Sequence, residues 1–155
     1  MTGGDKRVKP VALGRGEGRK LRESPTGGGA TLKVGADETK DAISIFESLR
    51  PAGDLGGPGV HRHPFDEAFY VLEGEYVFSV EGRTIAASEG SFLYVPAGIE
   101  HAFRHAGQGA GRMLTICHPG GIEEFLAASA PEAGEAMAKK HGIEFLGPPL
   151  AAHDP

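Results

Sequence analysis

Short apolar runs broken by tight turns constrain this chain more than any other feature. Residues 67–72, 76–80, 83–87, 91–95, 100–105 and 113–117 read as strands, the first of them rich in aromatic and β-branched side chains, and each is too short for a stable helix. Between them lie turn signals: Glu81-Gly82, Pro96-Ala97-Gly98 and the glycine-rich GQGAG segment. A two-residue turn ending in glycine predicts a hairpin between 76–80 and 83–87. Many short strands with regular turns predict an all-β sandwich or barrel.

The flanks extend this pattern less regularly. Residues 8–13 read as an edge strand, because Pro10 cannot donate to a central ladder. Residues 14–29 read as loop, 30–34 as a strand, 35–41 as a turn and 42–49 as a strand. The segment PAGDLGGPG at 51–59 excludes helix and central strand alike. Beyond the barrel, Ile122, Phe125 and Leu126 share one helical face, so a short helix is expected over 122–130, ended by Pro131. A second short helix is expected over 132–141, stopped by Gly142, and the final GPPLAAHDP reads as loop. The expected organisation is an N-terminal arm and edge strand over 1–29, a barrel over 30–121 and a helical tail over 122–155.

Composition narrows the function classes. A chain of 155 residues fits one domain with a real core. Its 25 glycines and 11 prolines are spread along the chain, as many turns require. The net charge is −5, and basic residues only scatter thinly at Lys6-Arg7 and over 19–22, so nucleic-acid binding lacks electrostatic support. Cys117 is the single cysteine, which rules out an intramolecular disulfide and a thiolate metal cage; it reads as a small buried hydrophobe. No membrane-spanning stretch and no N-terminal apolar leader are visible, so the expected compartment is the cytoplasm.

Potential metal ligands fall in two groups. His61 and His63 sit at i and i+2, on one face if the segment is extended. Glu67 follows after the bend at Pro64, and His101 lies just past the turn at 96–98. Imidazole nitrogen with carboxylate oxygen suits one divalent ion: Zn, Fe, Mn, Co, Ni or Cu. An HxH pair alone is weak support, since single histidines are more often surface or satisfied interior residues.

The company these residues keep is more specific. The stretch 58–105 resembles the two conserved motifs of the cupin superfamily. The first is written G-x5-H-x-H-x(3,4)-E-x6-G, and HRHPFDEAFYVLEG places His61, His63, Glu67 and Gly74 in register. The second is written G-x5-P-x-G-x2-H-x3-N, and GSFLYVPAGIEHAFRH places Gly90, Pro96, Gly98 and His101 in register. Two positions depart. Leu55 stands where the first glycine belongs, beside Gly56 and Gly57, and His105 stands where the final Asn belongs. That Asn is not a ligand in the family. In a strand, His105 shares the face of His101 about 13 Å away, too far to ligate the same ion, and reads as a polar strand-end residue.

The resemblance is to small single-domain bacterial cupins of the quercetin-dioxygenase-like kind, and extends weakly over 30–125. It implies a double-stranded β-helix (a jelly-roll barrel), one metal ion on His61, His63, Glu67 and His101, and a homodimer. Strand alternation puts Phe69 and Val71 on the face of Glu67; with Phe92, Tyr94 and His105 they are the candidate substrate-pocket residues, although core packing is the better reading for most of Phe69, Val71, Phe92 and Tyr94. Glu67 is also the candidate general base. The resemblance favours an oxygenase acting on a small enolisable or phenolic molecule. An isomerase, lyase or cyclase that does not use O2, and a non-catalytic small-molecule binder, are the alternatives.

Overall fold

The computed structural model describes residues 7–151. Eleven strands and three short helices are found among them: β1 (Arg19–Glu23), β2 (Gly29–Val34), α1 (Ala36–Thr39), β3 (Ser44–Arg50), β4 (Gly59–Arg62), β5 (Asp66–Glu73), β6 (Glu75–Val80), β7 (Arg83–Ser88), β8 (Phe92–Val95), β9 (His101–Ala106), β10 (Gly111–His118), α2 (Glu123–Leu126), α3 (Pro131–Lys140) and β11 (Glu144–Pro149). They form a six-stranded sheet in the order β1-β2-β3-β10-β5-β8 and a five-stranded sheet in the order β11-β4-β9-β6-β7. Every pairing is antiparallel. From β3 onward the chain changes sheet at each step except the β6–β7 hairpin, which is the crossing pattern of a jelly roll.

Alternation along the strands builds the interior. Phe69, Val71, Tyr76, Phe78, Val95 and Met113 come from both sheets and are 0–2 % exposed between them. A second cluster, with Leu32, Phe46, Phe65, Cys117, Ala138 and Ile143, closes one end of the barrel beneath α2 and α3. Glu123 ties α2 to that end: its carboxylate accepts from Ser44 Oγ at 2.5 Å and from Ala36 N at 2.7 Å.

The hairpin turn forms as expected, with Glu81 (φ 50) and Gly82 (φ 76) both left-handed between the Val80–Arg83 pair. Gly74 carries a similar demand. Its φ is 83, and a Cβ there would strike the Ala110 carbonyl oxygen.

Both flanks need correction. Residues 8–13 are not a strand. The edge strand is β1, inside the segment read as loop. Its residues RKLRE are exposed apart from half-buried Leu21, so no apolar alternation marks it; charge is how such edges are protected. The turn at 35–41 contains the one-turn helix α1. The first tail helix is only Glu123–Leu126, and Pro131 begins α3 rather than ending its predecessor. The tail is not purely helical: Glu144–Pro149 forms β11, which begins ahead of the segment read as loop, takes in its first three residues and pairs with β4 at the sheet edge, where Pro148 and Pro149 are tolerated; residues 152–155 of that segment lie outside the described residues.

Candidate metal centre

The two sequence groups meet inside the barrel. His61 is on β4, His63 follows directly, Glu67 is on β5, and His101 opens β9 directly opposite His61. One ligand atom from each lies within 4.8 Å of every other, and all four residues are buried. His63 Nε2 is 2.8 Å and His101 Nε2 is 3.1 Å from the same oxygen, Glu67 Oε2.

The outer nitrogens explain this orientation. Nδ1 of His61 faces Gly59 O at 2.7 Å, Nδ1 of His63 faces Phe65 O at 2.9 Å, and Nδ1 of His101 faces Ile99 O at 2.9 Å. A carbonyl only accepts, so each Nδ1 carries a proton and donates it. Each ring therefore turns Nε2 inward, as a bare lone pair whenever the ring is neutral. Such lone pairs beside a carboxylate repel unless a cation sits among them. Protons on the rings supply it in one state; a divalent ion coordinated by three nitrogens and one oxygen supplies it in another. The donor set thus fits a transition metal, and not one that demands all-oxygen ligation.

Without an ion, the protons play that part. His61 is held down at about 4, mainly by burial and next by His101. Burial pushes the Glu67 carboxyl up, but the hydrogen bonds from His101 and then His63 prevail and hold it at about 2. Burial lowers His101, yet its bond to Glu67 leaves it raised.

Packed walls surround the group. The His63 ring lies flat on Phe65, with centroids 3.8 Å apart and an interplanar angle of 5°. Phe69 stands 6.2 Å from His101. Cys117, in register with Glu67, places Sγ 4.0 Å from Glu67 Oε1. Phe145 on β11 is 5.8 Å from His61.

The candidate pocket residues divide. Phe69 and Val71 face inward, as expected. Phe92 and Tyr94 do not: paired with Tyr70 and Ala68, they project from the outer face and are 63 % and 52 % exposed. Leu93 and Val95 take the inward parity of β8 instead. Phe92 nevertheless lines, with Phe69 and Val71, a cavity of about 220 Å³ between β7 and β8. His105 does lie one residue from the end of β9, but fully buried; its Nδ1 donates to Asp54 O at 2.8 Å, and its ring packs on Tyr76. Sequence reasoning missed Phe65, Phe145 and the place of Cys117 in the wall. Cys117 alternates with Thr115 and Met113 on the face that pairs with Glu67, a signal present in the pattern but unusable without the register.

A double-stranded β-helix enclosing three histidines and a glutamate defines a class of small barrels built around one mononuclear site. Residues 48–117 match the cupin domain, and the chain belongs to the cupin superfamily. It is 34 % identical over 124 residues to endoribonuclease YbeY of Myxococcus xanthus, covering 76 % of this chain and 42 % of that protein. It is 32 % identical over 117 residues to quercetin 2,3-dioxygenase of Bacillus subtilis, covering 75 % of this chain and 33 % of that protein. The chain thus spans well under half the length of either relative. Among solved structures, a cupin-like protein of Thermotoga maritima superposes with a TM-score of 0.58 at 14 % identity, over 84 % of this chain and 86 % of that one. None of the described helices is long and apolar enough to cross a membrane.

Proposed function

We propose that this cupin is a metal-dependent oxygenase acting on a small enolisable or phenolic molecule. One observation carries the reading: three inward Nε2 lone pairs and a carboxylate converge on one point, with every Nδ1 committed to a carbonyl. Similarity to a quercetin 2,3-dioxygenase supports the oxygenase class.

A divalent transition ion bound there supplies a Lewis acid with an open position and, when redox-active, access to O2 chemistry. The protein's own groups do the rest. His61, His63 and His101 are neutral donors, so only Glu67 offsets the ion's charge, and the net positive site favours an anionic oxygen. Glu67 Oε2 points at the same spot and is the acceptor for the proton that an enol or phenol must give up. Phe65, Phe69 and Cys117 exclude bulk water from the back of the site.

The test is O2 consumption with a panel of phenols and β-diketones, using protein loaded with Fe, Mn, Co, Ni, Cu or Zn. Turnover should need a redox-active ion and stop without O2. Glu67→Gln should lower turnover by about 100-fold or more while weakening substrate binding far less, because an amide cannot take the proton. Turnover that persists anaerobically with Zn would replace this reading with a Lewis-acid isomerase, lyase or cyclase. No turnover, with phenols still bound, would make the protein a binder.

Assembly as a homodimer is part of the proposal. The outer face of β3-β10-β5-β8 presents Ile45, Leu114, Ile116, Tyr70, Phe92 and Tyr94 side by side. Contiguous apolar patches of this kind mark interaction sites. The charge on this face is balanced where it adjoins the patch, since Glu47 beside Leu114 pairs with Arg112 at 3.5 Å, so the patch meets its own two-fold copy without an unpaired like charge there. Light scattering should give a dimer at micromolar concentration, and Phe92→Lys with Tyr94→Lys should give monomer.

A further inference from the structure

Three of the four side chains at the metal centre are backed by immobile walls. His63 is stacked on Phe65, and His101, 1 % exposed, is wedged between His63 and Phe69. Glu67 has Cys117 against its second oxygen. The fourth differs. His61 is backed by Phe145, which pairs with it across β11 and β4 and is itself 52 % exposed. Phe145 also lines an apolar groove of about 460 Å³ between β11 and α3, together with Phe125, Ala138, Ile143, Glu135 and Lys139. It is the side chain shared by the groove and the surroundings of the metal centre. The groove's size lies in the range of small-molecule sites. It is built by residues beyond 117, outside the segment that matches the cupin domain.

The rival approach is closed. The smaller cavity between β7 and β8 is separated from His101 by Phe69, which is 1 % exposed and packs edge-on against Phe78 at 0 %. Moving Phe69 disrupts the core, whereas moving Phe145 disrupts little.

We propose that the groove at Phe125 and Phe145 holds the apolar ring of the substrate whose oxygen is bound at the metal centre, and that Phe145 selects aromatic over aliphatic molecules. This rests on the metal-site reading above. The occupant follows from Phe145 itself: its ring lies 5.8 Å from the His61 ring and also lines the groove, and it offers a flat apolar face on which an aromatic ring stacks. The two charged residues of the groove, Glu135 and Lys139, are of opposite sign and give no preference for a charged tail.

The experiment uses the full chain loaded with Co(II), whose visible spectrum reports anion binding, and two probes with the same oxygen donor: acetate and benzoate. Benzoate should bind about tenfold more tightly than acetate, the effect of burying about 60 Å² of ring surface. Phe145→Ala should bring the ratio to about one, leaving cobalt content and acetate affinity as in the parent protein. Phe145→Leu, which preserves bulk, and Phe125→Leu on the far wall should give intermediate ratios. An unchanged ratio in Phe145→Ala and Phe125→Leu overturns the proposal. So does an equal loss for both anions, which would show Phe145 to be structural only. Failure of the parent protein to take up cobalt would overturn the metal reading itself, a result distinct from either.

Discussion

His101 and His105 lie on the same inward face of β9, both are buried, and both donate from Nδ1 to a main-chain carbonyl: Ile99 O at 2.9 Å and Asp54 O at 2.8 Å. Each thereby holds its Nε2 on the side away from that carbonyl. Their surroundings separate them. His101 Nε2 meets Glu67, with His61 and His63 beside it. His105 Nε2 meets no hydrogen-bond partner among the described residues, and its ring packs on Tyr76, whose hydroxyl is equally unpartnered. Burial and a fixed tautomer therefore do not make a ligand. Convergence with a carboxylate and further imidazoles makes a candidate ligand.

The largest expected effect breaks the pair apart. His101→Ala, or His63→Ala, should lower bound transition metal from near one ion per chain by at least about tenfold, as loss of a ligand does. His105→Ala, on the same strand face, should retain the metal. Elemental analysis after purification without added metal decides this, and full occupancy in both ligand variants would remove the metal assignment.

Acidification sharpens the contrast at intermediate size, because only the metal end of the barrel has strongly shifted groups of opposing need. His61 is held at about 4, so below the ordinary imidazole value the unfolded chain binds a proton that the folded one refuses. Stability therefore falls as the pH drops from about 6.5 to 4. Glu67, held at about 2, contributes stability that is present above the ordinary carboxylate range and is lost as the pH falls towards 2. His101, being raised, opposes this over the upper part of the range, since its contribution is present at low pH and fades as the pH rises. Protons also compete with the ion for the same Nε2 atoms. Thermal melts with and without metal should converge as the pH falls from 7 to 4, with release of the ion. A metal-dependent melting advantage that survives at pH 4 would contradict the ligand set.

Much of the metal end was legible because its determinants are local. The HxH spacing, the bend at Pro64 and the turn at 96–98 each place a ligand from nearby sequence, and the motif spacing joins them. The illegible parts depend on register. Phe92 and Tyr94 were expected inside because their distance from turns suggested it, but the pairing of β8 with β5 gives the inward parity to Leu93 and Val95. The edge strands β1 and β11 were missed because an edge needs no apolar alternation, and charge or proline fills it instead. Phe145 belongs to such an edge, and its meeting with His61 is set by a long-range pairing with no trace in the local pattern.

The smallest expected effect concerns the position where this chain departs from the cupin motif. His105→Asn restores the motif residue, and the placement of its atoms predicts a near-neutral outcome. Asn Nδ2 and His Nδ1 both lie one bond beyond Cγ, so the amide can donate to Asp54 O just as the ring does. The anchor on the loop at 51–58 is then kept, which gives His and Asn the same task at this site. Two further consequences oppose one another. Losing the outer half of the ring leaves a small void against Tyr76, at a cost of about 1 kcal/mol. Removing Nε2 also relieves a buried polar atom that has no partner, a gain partly offset because the Asn Oδ1 enters the same buried site. The melting temperature should move by only a few degrees, with metal content and turnover unchanged. His105→Leu fills the void but cannot donate to Asp54, and should lose more stability than His105→Asn if the anchor matters more than the volume. Reversal of that order would show His105 to be a packing residue. Lost turnover with the metal retained would move it into the working half of the barrel and erase the distinction from His101.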